Sequence, residues 1–157
     1  MRKLLYLFTI LFAGLFAACD NGQYGQYVDL GLPSGTLWYS KNEGGDFARY
    51  TYDEAVSKFG NKLPTIEQLD ELKNQCTWTW MGSGYKVVGP NGNSIYLPAA
   101  GYRSCSGFVY VEGSVGLYWS SIPSGSGYAY DLSFESDEVG MYDDYRCFEL
   151  SVRLVQD

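Results

Sequence analysis

Two marked helix starts, followed by a long series of short strands, constrain the fold of this chain most. Thr51 with Glu54 and Thr65 with Gln68 each form a capping box, in which a threonine hydroxyl and a side chain three residues later satisfy free amides. From Thr77 onward, short aromatic and β-branched runs alternate with Gly, Asn, Ser and Pro. This order predicts a single α+β domain, mostly antiparallel β-sheet with two helices, after an N-terminal signal peptide.

Hydrophobic periodicity sets the expected element boundaries. The first helix follows Thr51, carries an apolar stripe of Ala55, Val56 and Phe59, and stops at Gly60. The second follows Thr65 and ends near Gln75, with Ile66, Leu69, Leu72 and Cys76 at helical spacing. The predicted strands are residues 27–32, 36–39, 85–88, 94–97, 108–111, 117–120, 128–134 and 148–155.

The N-terminus is typical of an exported lipoprotein. Arg2 and Lys3 precede an apolar run that ends in a small pair of alanines before Cys19. We therefore expect a signal peptide at 1–18, lipidation of Cys19, a tether at 19–26 and a domain at 27–157. An ordinary secretory signal and an uncleaved membrane anchor are the alternatives, and all three export the domain.

Composition excludes several function classes. The formal net charge is −7, which makes nucleic acid and anionic lipid surfaces poor partners. The chain has no histidine, so Ser-His-Asp and Cys-His nucleophiles and the HExxH zinc site are excluded. A two-carboxylate glycosidase needs a deep cleft, for which the chain has little material. We expect no enzyme, no cofactor and no metal.

Three cysteines follow Cys19, so at most one disulfide forms within the domain. Cys105 and Cys147 both lie in turn-rich surroundings and are the favoured pair, with Cys76 left as a buried thiol at a helix end. No CxxC pair is present to begin a zinc site.

The candidate ligand surface lies between residues 118 and 146, where aromatic side chains alternate with acids and one cation. Aromatic faces stack on sugar rings or apolar patches, while carboxylates and a guanidinium bind hydroxyl groups. Trp119 is expected in the core rather than in this surface, and Arg103 and Arg153 are expected to make structural contacts. The candidate ligand contacts are Tyr128, Tyr130, Asp131, Tyr142, Asp143, Tyr145 and Arg146.

Residues 135–144 concentrate acidic side chains and have two interpretations. A calcium site is one, since carboxylate oxygens are calcium ligands, but the spacing matches no EF-hand. A solvated acidic loop is the favoured interpretation.

Several motifs, in a fixed order from about Tyr27 to Val155, resemble the Fibrobacter succinogenes major paralogous domain, a family abundant among Bacteroidetes surface lipoproteins. They are YVDLGLPSGTLW at 27–38, LPT at 63–65, CTW at 76–78, GNSIYLPAAGYR at 92–103, YWSS at 118–121 and SVR at 151–153. Two departures are a short segment between Tyr39 and Tyr50 and Leu154 in place of the family's proline.

The resemblance implies a C-type lectin-like fold, shared with formylglycine-generating enzymes. In that fold the terminal strands pair, two helices flank the sheet, and the loops before the last strand present the binding face. The enzymes of this fold bind copper with a cysteine pair, whereas only Cys147 stands in the corresponding region here. A copper-dependent oxidase is therefore a remote alternative that requires Cys105 to lie beside Cys147.

Together these features predict a non-catalytic binding module anchored to the outer membrane or the cell surface. Attachment at the periplasmic face of the membrane is left open as an alternative. The membrane is contacted through the lipid alone, and the partner is a glycan or an envelope or host protein. The alternative is a structural subunit of an outer-membrane assembly.

Overall fold

The computed structural model describes residues 26–157. The predicted signal peptide and Cys19, the predicted lipidation site, lie outside the described residues. Within residues 26–157, no helix is long and apolar enough to cross a membrane.

Two short helices form where the capping boxes predict them. Helix α1 spans Tyr52–Phe59 and α2 spans Ile66–Gln75, with a 3₁₀ turn at Gly60–Lys62 between them. Both capping boxes are present, on Thr51 and on Thr65. The predicted stripe on α1 is wrong at Val56, which is 40% exposed, because Tyr52 and Ala55 occupy the inward face instead.

Thirteen strands are assigned in residues 26–157, and their named pairings are all antiparallel. They are β1 (Tyr27–Asp29), β2 (Leu37–Tyr39), β3 (Tyr50–Thr51), β4 (Thr77–Trp80), β5 (Gly84–Val88), β6 (Ser94–Pro98), β7 (Tyr102–Arg103), β8 (Val109–Tyr110), β9 (Gly116–Ser124), β10 (Tyr128–Glu135), β11 (Glu138–Tyr145), β12 (Glu149–Leu150) and β13 (Val155–Gln156). The fold is α+β and mostly antiparallel, which confirms the predicted class.

The strands form four small sheets. Their orders are β1-β2-β13, β11-β10-β9, β3-β12-β7-β8 and β4-β5-β6. The terminal strands share a sheet, although β1 and β13 both pair with β2 and not with each other. The sheet of β9, β10 and β11 has the longest strands, and we call it the central sheet.

Hydrophobic cores lie on both faces of the central sheet. On one face Tyr118, Leu132 and Phe134 pack with α2 and with the sheet of β4, β5 and β6. On the other face Leu117, Trp119 and Ala129 pack with α1 and with residues around β12. Trp119 is fully buried, as the sequence predicted, and its indole N–H donates to the Tyr50 carbonyl at 2.8 Å.

The predicted last strand, 148–155, is wrong as a single element. The chain pairs as β12, makes a parallel bridge from Ser151 to Tyr118 of β9, and then pairs again as β13. Residues 151–154 therefore pass between sheets, and the Val152 and Leu154 carbonyls accept hydrogen bonds from Glu43 and Tyr39. A local pattern of apolar residues does not reveal such a change of sheet.

Candidate functional site

The hairpin of β10 and β11 carries most of the predicted ligand contacts, but it divides them between its two faces. Tyr128 pairs with Tyr145, Tyr130 with Asp143, and Asp131 with Tyr142. Because successive strand residues point to opposite faces, Asp131 and Tyr142 lie on one face and Tyr128, Tyr130, Asp143 and Tyr145 on the other. The seven predicted side chains do not form one surface.

The acidic run at 135–144, predicted as a solvated loop, is a strand instead. Ser136 and Asp137 make the turn between Glu135 and Glu138, and β11 continues from there. Val139 and Met141 alternate with Glu138, Gly140 and Tyr142 and pack against the first core, which holds the strand in place. This alternation was visible in the sequence, but the density of charge obscured it.

Tyr128 and Tyr145 begin a continuous row of five aromatic rings, which we call the aromatic row. Ring centroids lie 4.6 Å apart between Tyr128 and Tyr145, and 5.4 Å between Tyr145 and Phe148. Phe148 stacks on Tyr102 at 4.9 Å, and Tyr102 stacks on Tyr110 at 5.4 Å. The row therefore runs from β10 and β11 across to β7 and β8.

Exposure differs along the aromatic row. Tyr110, Tyr128 and Tyr145 are 45%, 37% and 50% exposed. Tyr102 and Phe148 are half-buried and pack against the second core. The two inner rings thus support the three outer rings, which face solvent.

A disulfide joins the two halves of the aromatic row. Cys105, in the loop between β7 and β8, is bonded to Cys147, between β11 and β12, with their Cα atoms 5.2 Å apart. This is the pair that the sequence favoured, and Cys76 is a half-buried free thiol whose pKa is raised to about 11 by burial and by Glu71. The ion pair from Arg103 to Glu149, at 3.0 Å, links the same segments.

Replacing both Cys105 and Cys147 by serine is expected to lower the free energy of unfolding by about 2 to 4 kcal/mol, because the bond restricts the unfolded chain over 42 residues. Urea unfolding of the oxidised protein measures the loss, with Cys76→Ser as the control. Equal stability of the double variant and the parent would contradict a structural role.

The oxidase alternative required Cys105 to lie beside Cys147, and the two do lie together. They are bonded to each other, however, and a disulfide offers no thiolate to copper. Only a reduced pair would meet the chemical requirement of that enzyme.

Arg146, predicted as a ligand contact, is already engaged within the protein. Its guanidinium pairs with Asp53 in the first turn of α1 and lies 4.9 Å from the centre of the Tyr52 ring. The Arg146 carbonyl also accepts from the Tyr52 amide at 3.1 Å. Arg146 therefore fastens the end of β11 to the start of α1.

The opposite side of the hairpin contains a cavity of about 310 Å³, which we call the acidic groove. It is lined by Val115, Ser133, Phe134, Glu135, Glu138, Tyr142, Asp143 and Asp144. The Tyr142 ring lies over Gly140, where a Cβ would come within 2.6 Å of it, and the Tyr142 hydroxyl donates to Glu138 at 2.5 Å. Glycine at 140 therefore permits the position of this ring.

Asp131 lies on the same side of the sheet but is completely buried, so its predicted surface position is wrong. Neither carboxyl oxygen has a hydrogen-bond partner. Burial, together with the charges of Asp144 and Asp143, raises the pKa of Asp131 to about 8. Asp131 is therefore mostly protonated at neutral pH.

Residues 26–157 contain no organised set of metal ligands, since no group of three or more acidic or cysteine side chains is arranged around one point. The acids of 135–144 are spread along a strand, which separates them. The calcium interpretation of this run gains no support from their geometry.

Sequence reasoning missed the Tyr102, Tyr110 and Phe148 rings. Tyr102 was assigned only to a family motif, and Tyr110 and Phe148 only to strands. Contact between these rings depends on the pairing of β12 with β7, which brings together residues 46 positions apart.

Compared with known proteins, the chain matches no family model, no curated protein and no solved structure.

Proposed function

We propose that this protein is a non-catalytic, lipid-anchored module of the cell envelope that binds an extended polysaccharide along the aromatic row. The observation that carries the proposal is the continuity of the five rings, three of them exposed. Exposed contiguous aromatic surface is uncommon on a protein that binds nothing. The apolar faces of sugar rings stack on aromatic side chains of this kind.

The spacing of the rings supports a chain-like ligand. Neighbouring centroids lie 4.6 to 5.4 Å apart, a distance comparable with the length of one pyranose unit. An extended chain that follows the row therefore contacts its three exposed rings, those of Tyr128, Tyr145 and Tyr110, while Phe148 and Tyr102 support them from below. Polar groups flank the row and can form hydrogen bonds with sugar hydroxyls. One is Asp143, whose carboxylate accepts from the Ser124 hydroxyl at 2.8 Å, and another is the ion pair of Arg103 and Glu149.

Rigidity of the aromatic row also favours binding. Phe148 and Tyr102 are fixed by stacking and by the second core, and the disulfide fixes the two segments that carry them. Side chains that are already ordered lose little conformational entropy when a ligand binds.

The proposal includes a C-type lectin-like fold and anchoring through Cys19. The shared sheet of β1, β2 and β13 supports the fold, because it brings the two ends of the domain together. The apolar N-terminal segment before Cys19 supports the anchor. Incorporation of a labelled fatty acid, lost in Cys19→Ala, tests it.

Tyr145→Ala is expected to weaken polysaccharide binding by about tenfold or more, since one stacking ring is lost and its neighbours are loosened. Tyr142→Ala is the matched control, because Tyr142 is 48% exposed on the same strand but on the opposite face. A polysaccharide array read with the purified protein, followed by calorimetry on each hit, measures both variants.

Equal loss in the two variants would contradict the aromatic row as the site. Silence of the array would contradict polysaccharide binding itself. In that case co-purification of neighbouring proteins from detergent-extracted membranes would favour the structural-subunit alternative.

A further inference from the structure

The acidic groove is not used by the proposed function, because it lies on the other face of the hairpin from Tyr145. Its lining includes three acidic side chains that strand alternation directs to this face, those of Glu135, Glu138 and Asp144, and no basic side chain. Tyr142 forms one wall, and its exposed ring lies next to these acids. The chemistry of the groove is therefore that of a negatively charged, partly aromatic cavity.

Asp131 adds a second and independent observation. It lies directly across from Tyr142 in the strand pairing and two residues from Ser133, so strand alternation places it on the groove side of the hairpin, next to the lining residues but not among them. It is fully buried, and both of its oxygens lack a hydrogen-bond partner within residues 26–157. A buried carboxyl without a partner is costly and is uncommon in folded proteins.

We propose that the acidic groove binds an organic cation through a primary ammonium group. Asp144 and Glu138 accept hydrogen bonds from the ammonium, the Tyr142 ring contributes a cation–π contact, and Asp131 supplies negative charge beneath them. The net charge of −7 adds a favourable long-range field.

An organic cation fits this geometry better than a metal ion. The carboxylates surround a cavity of about 310 Å³ instead of meeting at one point. That volume lies at the small end of the usual range for ligand pockets, roughly 300 to 1,000 Å³. A sugar amine or a lysine side chain is therefore of suitable size.

Binding of a cation is coupled to the proton on Asp131. A positive charge in the groove favours the ionised carboxylate and lowers the pKa of Asp131 from about 8 in the free protein. Asp144 faces the same space, and burial and Asp143 raise its pKa as well. Cation binding at neutral pH should therefore release a proton.

Calorimetry of the full chain in non-ionic detergent tests the proposal. The probes are glucosamine and Nα-acetyl-lysine methylamide, which separate a sugar amine from a lysine side chain, and N-acetylglucosamine is the neutral match for the first. We expect at least one amine to bind, with proton release in buffers of different ionisation enthalpy and with weaker binding at high salt.

Variants of the acidic side chains are expected to change amine affinity and proton release as follows. Asp144→Asn should weaken amine binding by about tenfold or more, and Asp131→Asn should abolish the proton release. Glu67→Gln, an exposed acid on α2, is the matched control and should change affinity less than about twofold. Tyr145→Ala should leave amine binding unchanged, which separates this site from the aromatic row.

Three results would overturn the proposal. They are no heat of binding for either amine at millimolar concentration, equal binding of glucosamine and N-acetylglucosamine to Tyr145→Ala, and equal effects of Asp144→Asn and Glu67→Gln. None of these bears on polysaccharide binding at the aromatic row.

Discussion

Asp131→Asn is expected to stabilise the protein at pH 8 by roughly 3 to 5 kcal/mol and to remove most of its pH dependence between about pH 4 and pH 8. Asparagine has nearly the shape of a protonated aspartic acid and carries no charge at any pH. The side chain is buried, without hydrogen-bond partners for its carboxyl oxygens. The charged form is therefore the costly one.

The sign follows from the two pKa values of Asp131. In the folded protein the pKa is about 8, because of burial and then the charges of Asp144 and Asp143, whereas in the unfolded chain it is about 3.9. Between these values the folded state holds a proton that the unfolded state has released. The stabilisation is fully present below about pH 4 and is lost as the pH rises through about 8.

Urea unfolding of the parent and of Asp131→Asn across this pH range measures the effect. Asp70→Asn is the control, since the Asp70 side chain on α2 is 45% exposed and pairs with Lys73 at 3.1 Å. A parent whose stability does not fall from pH 4 to pH 8 would contradict the buried protonated state.

Arg153→Met is expected to lower the free energy of unfolding by roughly 3 to 5 kcal/mol, since it leaves several buried acceptors without a donor. Arg153 is 1% exposed. Its guanidinium donates to the Asn42 side-chain oxygen at 2.6 and 3.0 Å, to the Tyr39 carbonyl at 2.9 Å and to the Tyr96 carbonyl at 2.6 Å.

These contacts join three parts of the fold. Tyr39 ends β2, Tyr96 belongs to β6, and Asn42 donates in turn to the hydroxyl of Tyr118 on β9 at 3.1 Å. Burial lowers the pKa of Arg153, and burial raises that of Tyr118 to about 12. Loss of Arg153 therefore disturbs three sheets at once.

Arg103→Met is the matched control, because both arginines were expected to make structural contacts. The Arg103 side chain is 42% exposed, and its ion pair with Glu149 is partly solvated. Removing it should cost no more than about 1 kcal/mol. Similar losses of unfolding free energy in the two variants would contradict the buried network.

Elements with local signals were predicted correctly. Thr51 and Thr65 mark the helix starts because capping hydrogen bonds join residues three apart. Strands β5 and β6 were expected at residues 85–88 and 94–97, and Trp119 was expected in the core. Strand β11 was missed because its acids suggested solvent, although Val139 and Met141 alternate inward.

For the candidate sites, too, local features were predictable from the sequence and long-range contacts were not. The sequence by itself determined that tyrosines and acids are concentrated near residues 128–146, that histidine chemistry is absent and that the fold is α+β with two helices. Only the tertiary structure decided that Tyr142 and Tyr145 face opposite ways, that Asp131 is buried, and that Tyr102, Tyr110 and Phe148 complete a row. The physical reason is that helix caps and turns act between near neighbours in the chain, whereas sheet order and burial depend on contacts between distant segments.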